Sequence, residues 1–308
     1  MEQVPFGRTG LHVSRIGFGA GPIGYLGASP QDVGRILNLL LDRGVNLIDT
    51  AAAYLGSEEL IGAAVGHRRK EYVLLSKCGR KVPGVEGEDW SAGVVSASVD
   101  RSLRRLGTDR LDVMLLHSCP LEVLRRGEAL GALVKAKEAG KIRFAGYSGD
   151  NDAAVYAAGL DGVDVLMCSA SLCDQVNLDG ALPAAAAKGL GALLKRPVAN
   201  GAWKPPGALQ GVYRDYAKPY QERFQAMGLD PRALGFPGPE AWMEIALRFA
   251  LAVPGAQVLS IGTTSHANAE TNLRLAERGP LAPEAVAAIR KAFRDARARA
   301  GVDWPGLT

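Results

Sequence analysis

Three apolar runs in the chain each end on a side chain that can hold or move a proton. Val45-Asn46-Leu47-Ile48 ends on Asp49, Val73-Leu74-Leu75-Ser76 on Lys77, and Val113-Met114-Leu115-Leu116 on His117. Tyr54 follows Asp49 across the small-residue turn Thr50-Ala51-Ala52-Ala53. These four types suit reduction of a carbonyl. A hydride arriving at carbon leaves an alkoxide that needs a proton, and a phenol with a pKa near 10 is a poor acid unless its anion is stabilised. A nearby ammonium stabilises that anion, a carboxylate keeps the ammonium charged and oriented, and a neutral imidazole can hydrogen-bond the substrate oxygen. Taken singly, each residue has an ordinary reading: a turn-forming acid, a packing phenol, a surface lysine, a satisfied core histidine. Their recurrence at successive run ends is what favours chemistry.

The elements that must position them alternate. Strand-like runs lie at Arg15–Gly19, Val45–Asp49, Tyr72–Lys77, Asp112–His117, Ile142–Ser148, Val163–Ser169, Gly191–Lys195 and Val258–Thr263. One-faced helical patterns lie between them, including Pro30–Arg43, Ser57–His67, Ser91–Leu106, Leu121–Gly140 and Pro239–Val253. Ser57 is placed to cap its helix, with Glu58 and Glu59 at the positive end of the dipole. Strands alternating with helices imply a parallel sheet, and nearly continuous apolar strands imply one covered on both faces. Eight such units predict an α/β fold of the (β/α)8 barrel type over residues 1–308 as one domain, with the polar run ends meeting at one mouth. No Gly-x-Gly-x-x-Gly follows a strand, which argues against an open dinucleotide-binding sheet. The turn Arg8-Thr9-Gly10 predicts an N-terminal hairpin. The segment Asn200–Gly238, rich in Pro, Gly and aromatics, reads as a long loop over the mouth, with two readings open for Trp203, Tyr213, Tyr216 and Trp242, the roof of an apolar pocket or core packing.

Composition narrows the class. With 308 residues, 47% hydrophobic and a net charge of +4, the chain can bury a full core, and it shows no basic run that would mark a nucleic-acid binder. No apolar stretch is long enough to span a membrane and no signal peptide is visible, so a cytoplasmic location is expected. The four cysteines, Cys78, Cys119, Cys168 and Cys173, lack zinc-site spacing, so no metal is expected. All four fall near strand ends, which raises the idea of a peroxide-sensitive mouth.

The pattern Gly44-x4-Asp49-Thr50-Ala51-x2-Tyr54-x2-Ser57-Glu58-x3-Gly62 resembles the first signature of the aldo-keto reductases. The opening Phe6-Gly7-Arg8-Thr9-Gly10, the stretch Thr108-Asp109-x-Leu111-Asp112 before His117, and Gly140-Lys141-Ile142-Arg143-x2-Gly146-x-Ser148 are similar to further parts of that family. The resemblance implies Tyr54 as proton donor tuned by Lys77 and Asp49, with His117 orienting the carbonyl of a small-molecule substrate. It also implies NADP(H), or alternatively NAD(H), held by Gly19, Ala20, Ser148, Lys195, Asn200, Thr263, Thr264, Ser265, Asn268 and Asn272. Several positions depart from the family pattern, among them Ser265 where the family usually carries a basic residue and Asn268 where it commonly carries Arg or Gln. Ser148 is followed by Gly149, and Met167, Ala170 and Lys195 stand where the family carries amide partners and a stacking tyrosine. A cofactor-sensing module with little turnover is the alternative, and a Schiff-base lyase using Lys77 or Lys195 is a third reading. Oligomeric state is left open.

Overall fold

A computed structural model describes residues 1–205, 207–209 and 211–307. Among these, eight parallel strands close into a barrel: β3 (Ile16–Gly19), β4 (Leu47–Asp49), β5 (Val73–Cys78), β6 (Leu111–His117), β7 (Ile142–Ser148), β8 (Val165–Ser169), β9 (Gly191–Lys195) and β10 (Val258–Ile261). β10 pairs with both β9 and β3, which completes the ring. Before it, β1 (Gln3–Pro5) pairs antiparallel with β2 (His12–Ser14) as the expected hairpin.

The barrel lumen is a small apolar core of its own. Leu47, Val73, Leu75, Val113, Leu115, Val165, Met167, Leu193 and Val258 fill it, and Phe6, Leu11 and Val13 of the hairpin close its lower end. These residues obey the two-residue period of a strand. Carried one step further along each strand, the same inward row runs into Asp49, Lys77, His117, Ser148, Ser169, Lys195 and Ser260. The mouth is therefore a polar layer laid directly on an apolar plug. The barrel's inward-facing period dictates which strand side chains point into it.

The outer helices bury their apolar stripes on the strands. Pro30–Asp42 starts at Ser29, whose side chain accepts from the Asp32 N–H, and buries Val33, Ile36, Leu37, Leu40 and Leu41. Three expectations are corrected. The helix expected over Leu121–Gly140 is two helices, Leu121–Arg126 and Glu128–Glu138, broken where Gly127 takes φ +74°. Ser57 is not the cap of its helix: Gly56, at φ +68°, occupies that position, and Ser57 begins the helix Ser57–Val65. The segment over the mouth is no simple loop, since Tyr213–Met227 is a helix that buries Ala217, Tyr220, Arg223 and Met227. Pro206 and Gln210 of that segment lie outside the described residues. No helix among the described residues is long and apolar enough to cross a membrane.

Candidate active site

Asp49 and Lys77 end neighbouring strands and meet across them. Lys77 spends its three protons on the Asp49 carboxylate, on the Thr50 carbonyl at 2.8 Å and on the Tyr54 hydroxyl at 3.4 Å. Its side chain is 2% exposed and that of Asp49 5%. Burial pushes the Lys77 ammonium down, but Asp49, with Tyr54, outweighs it and holds the pKa above the ordinary lysine value. The second Asp49 oxygen accepts from the Ser260 hydroxyl at 2.8 Å. Gly19 and Ala20 frame the same carboxylate from β3. Gly19 pairs with Asp49, the Ala20 N–H donates to the Asp49 carbonyl, and a Cβ on Gly19 would lie 2.8 Å from Ser260 Oγ.

Tyr54 is held by its turn. The Thr50 and Ser57 hydroxyls lie 2.7 Å apart, and Ser57 Oγ donates to the Tyr54 carbonyl at 3.1 Å. Ser57 thus stabilises the turn that aims Tyr54 rather than the helix end. The Tyr54 ring meets Tyr25 edge-on at 5.5 Å and His117 edge-on at 5.8 Å. Burial first, and then Lys77, Lys195, Arg80 and Arg196, hold His117 well below the ordinary imidazole pKa. The imidazole is therefore neutral at physiological pH, as an oxygen-orienting donor requires.

On the far side of the mouth Lys195 ion-pairs with Asp150 at 2.9 Å. Asp150 also accepts from the Ser169 N–H at 2.6 Å, the Asn177 amide at 2.8 Å and the Ser169 hydroxyl at 3.2 Å. Burial works against this carboxylate, but Lys195 and the hydrogen bonds hold its pKa below the usual range. Burial pushes Lys195 below the ordinary lysine value, and Asp150 recovers only part of the shift. The next residue, Arg196 at φ +56°, donates to the carbonyl of Leu307 and to Ser169 Oγ, and it lies over the Tyr216 ring at 5.3 Å. The C-terminal stretch is tied into this corner. Asn151 exchanges two bonds with the Gly306 backbone, Arg223 donates to Pro305, and the Leu307 N–H donates to Asp174 at 3.1 Å.

The remaining expected residues divide. Ser148, buried, ends β7 beside His117 in register. Asn200, at φ +51°, follows β9, and its side-chain nitrogen is buried without a partner among the described residues. Thr263 Oγ1 accepts from the Ser265 N–H, and Ser265 caps the helix His266–Ala276 by accepting from the Asn268 N–H. Asn268 is exposed and Asn272 buried on that helix. Tyr213 and Tyr216 face the mouth, the Tyr213 hydroxyl standing 3.1 Å from where a Cβ of Gly21 would be. Trp203 and Trp242 instead pack on the core, Trp242 edge-on to Phe224 at 4.7 Å. All four cysteines are buried, and burial raises their thiol pKa values, to about 12 for Cys119. The geometry thus offers no exposed thiolate for a peroxide-sensitive mouth.

Sequence reasoning passed over Ser260, Asp150 and Arg80. The first was signalled by a lone hydroxyl inside the run Val258-Leu259-Ser260-Ile261. The second was signalled by an acid two residues past a strand end. Arg80 carried no signal of its own.

The model of the aldo/keto reductase family matches residues 15–294. L-galactose dehydrogenase of Arabidopsis thaliana is 35% identical over 218 residues, covering 65% of this chain and 66% of that protein. The NADH-specific methylglyoxal reductase of Escherichia coli is 28% identical over 223 residues, covering 65% and 68%. The chain thus matches about two thirds of the length of these curated relatives. Among solved structures, an aldo-keto reductase of Bacillus halodurans in its holo form superposes with a TM-score of 0.79 at 27% identity, covering 95% of this chain and 96% of that one. The chain belongs to the aldo/keto reductase family.

Proposed function

We propose that this chain reduces an aldehyde or ketone to an alcohol with a nicotinamide cofactor, Tyr54 giving the proton. One observation carries the reading: the buried Lys77 ammonium touches both the Asp49 carboxylate and the Tyr54 hydroxyl at the C-terminal mouth of the barrel. As the proton leaves Tyr54, Lys77 stabilises the charge left on the oxygen, and Asp49 keeps Lys77 ionised in a site that would otherwise strip its proton. Ser260 fixes the carboxylate in turn. His117, neutral, donates to the substrate oxygen and sets its direction.

The nicotinamide supplies the hydride. The Asn200 side-chain nitrogen, buried without a partner among the described residues, is consistent with a polar ligand at this mouth. Gly19, Ala20, Ser148 and Lys195 would hold the cofactor at the nicotinamide end. Thr263, Thr264, Ser265, Asn268 and Asn272 would hold the adenosine end, where a helix begins. NADP(H) is the coenzyme implied by the family resemblance. NAD(H) is kept beside it because Thr263 and Ser265 already spend hydroxyl capacity on their own backbone and His266 stands 3.8 Å from Glu270. The name of the E. coli relative points the same way. The alternative of a cofactor-sensing module draws on the Lys195–Asp150 pair, which ties up the lysine at the end of β9.

Tyr54→Phe tests the reading. Turnover of an aldehyde panel falls by about 10²–10⁴, the usual worth of a positioned acid, while coenzyme titrated by fluorescence still binds. Undiminished turnover would refute the role of Tyr54. Tight coenzyme binding by the unaltered chain without turnover of any carbonyl would favour the sensor.

A further inference from the structure

The cations of the mouth are unequally compensated. Four of them act on His117: Lys77, Lys195, Arg80 and Arg196. Lys77 is neutralised by Asp49 and Lys195 by Asp150. Arg196 is spent on the Leu307 carbonyl, the Ser169 hydroxyl and Tyr220. Arg80 is different. Its Nε donates to the His117 carbonyl at 3.4 Å and its guanidinium lies 5.9 Å over the Trp90 ring, and both partners are uncharged. No described carboxylate pairs with it. Two of the three acids of its own loop are engaged elsewhere, Glu86 facing Lys81 Nζ at 3.9 Å and Asp89 accepting from the Lys81 N–H at 2.6 Å, and the third, Glu88, forms no ion pair with it among the described residues.

Arg80 is also presented by a built turn. Gly79 takes φ +104°, and a Cβ there would lie 2.4 Å from the Trp90 ring. Trp90 itself takes φ +69°, is 8% exposed and donates its N–H to the Gly79 carbonyl at 2.6 Å. Glycine takes such a φ freely, but a bulky tryptophan held in the left-handed region is strained, so the turn is over-determined at Trp90. The strain places an exposed arginine directly past the Lys77 strand. Tyr25 and His117 stand edge-on to Tyr54 from two sides, and both feel the charge of Arg80. Through its bond to the His117 carbonyl the arginine stands at the rim of the mouth beside that residue, with its two Nη groups unspent on any described residue. An arginine fork in a cleft with excess positive charge suits a carboxylate.

We infer that the carbonyl substrate carries a carboxylate and that Arg80 is the residue that reads it. This rests on the reductase reading above. The inference makes Arg80 a specificity determinant of the substrate and leaves the proton transfer to Tyr54.

The test compares 4-carboxybenzaldehyde with its methyl ester, which keeps the ring and aldehyde and removes the charge. The expected result is a kcat/KM for the acid at least tenfold above that for the ester at low salt. That ratio falls at least tenfold in Arg80→Gln and partly recovers in Arg80→Lys. A ratio near one, or a ratio that survives Arg80→Gln, overturns the inference. Binding of unreactive benzoate, measured calorimetrically against benzamide, separates the two proposals. Benzoate binding lost in Arg80→Gln without turnover of any aldehyde keeps the anion site and removes the reductase. Turnover without benzoate preference keeps the reductase and removes the anion site.

Discussion

The mouth of this barrel holds two buried lysine–aspartate pairs, and they are built differently. In the first, Lys77 is the hub. Its three protons reach a carboxylate, a carbonyl and a phenol, and the carboxylate has one further donor named here, Ser260. In the second, Asp150 is the hub, accepting from Lys195, from Ser169 twice and from Asn177. The charges respond in opposite ways. Lys77 is held above the ordinary lysine value, whereas Lys195 is held below it. A lysine that must stay charged beside a phenol is thus given a nearly private carboxylate. One that shares a carboxylate with amides and hydroxyls is held within a frame, and from there it would reach the coenzyme under the proposed function. The first pair reaches the Tyr54 hydroxyl, and the second ties β7, β8 and β9 to the C-terminal stretch.

The largest test of that contrast is Lys77→Met. It leaves Asp49 buried with Ser260 and removes the charge beside Tyr54. kcat is expected to fall by about 10³, within the range of a positioned acid–base group, in protein whose circular dichroism remains native. A loss under tenfold would mean that Tyr54 does not depend on Lys77, and the two pairs would then be equivalent framing.

The second corner contains a further acid that the first lacks. Asp174 accepts from the Leu307 N–H at 3.1 Å and from the Tyr220 hydroxyl at 3.4 Å, while its other oxygen is buried without a partner among the described residues. Burial raises its pKa to about 6, against the bonds from Leu307 and the charges of Arg223 and Arg196. A raised carboxyl pKa means that the folded state disfavours ionisation. Stability is therefore lost as pH rises from about 4, where the unfolded chain ionises, through about 6. A shift of about two units amounts to roughly 3 kcal/mol above that window. Asp174→Asn keeps an acceptor for Leu307 and removes the charge. Urea midpoints should show the variant gaining on the parent between pH 4 and pH 7. Taking the difference also cancels His117, whose depressed pKa costs stability in the opposite direction, as pH falls below about 6.5. A constant difference across that range would show that Asp174 is not strained by ionisation.

The two corners also differ in how far the sequence revealed them. The first is local: Asp49 and Tyr54 share one turn, and Lys77 and His117 end strands whose apolar runs are plain. The strand period carries Asp49, Lys77 and His117 inward and the turn after Asp49 brings Tyr54 to them, so barrel and candidate site follow from one local pattern. The second corner is assembled from distant pieces. Lys195 meets Asp150 across β8, and Arg196 meets Leu307, so no spacing could announce either contact. Ser260 is an intermediate case, a lone hydroxyl in a buried run whose partner, Asp49, lies 211 residues away in sequence. The helix Tyr213–Met227 is hidden in the sequence because Pro219 and four aromatics blur its period, and it is tertiary packing of Tyr220 and Met227 that supports it.

Lys195→Met sharpens the comparison at its weaker end. Breaking a buried pair by removing one partner costs about 3–5 kcal/mol when the surviving charge is left uncompensated. Asp150 is not so left, since Ser169 and Asn177 still donate to it, and Lys195 retains 15% exposure of its side chain. The loss should therefore fall below that range, at about 2 kcal/mol, and appear as a lower urea midpoint. kcat should fall far less than in Lys77→Met, because the residue touches neither Tyr54 nor His117 by any contact described here. If the lysine instead lies along the nicotinamide, the coenzyme dissociation constant rises while kcat at saturation holds. A collapse of kcat equal to that of Lys77→Met would assign both pairs to the chemistry. The difference between a lysine-centred and an aspartate-centred pair would then carry no functional meaning.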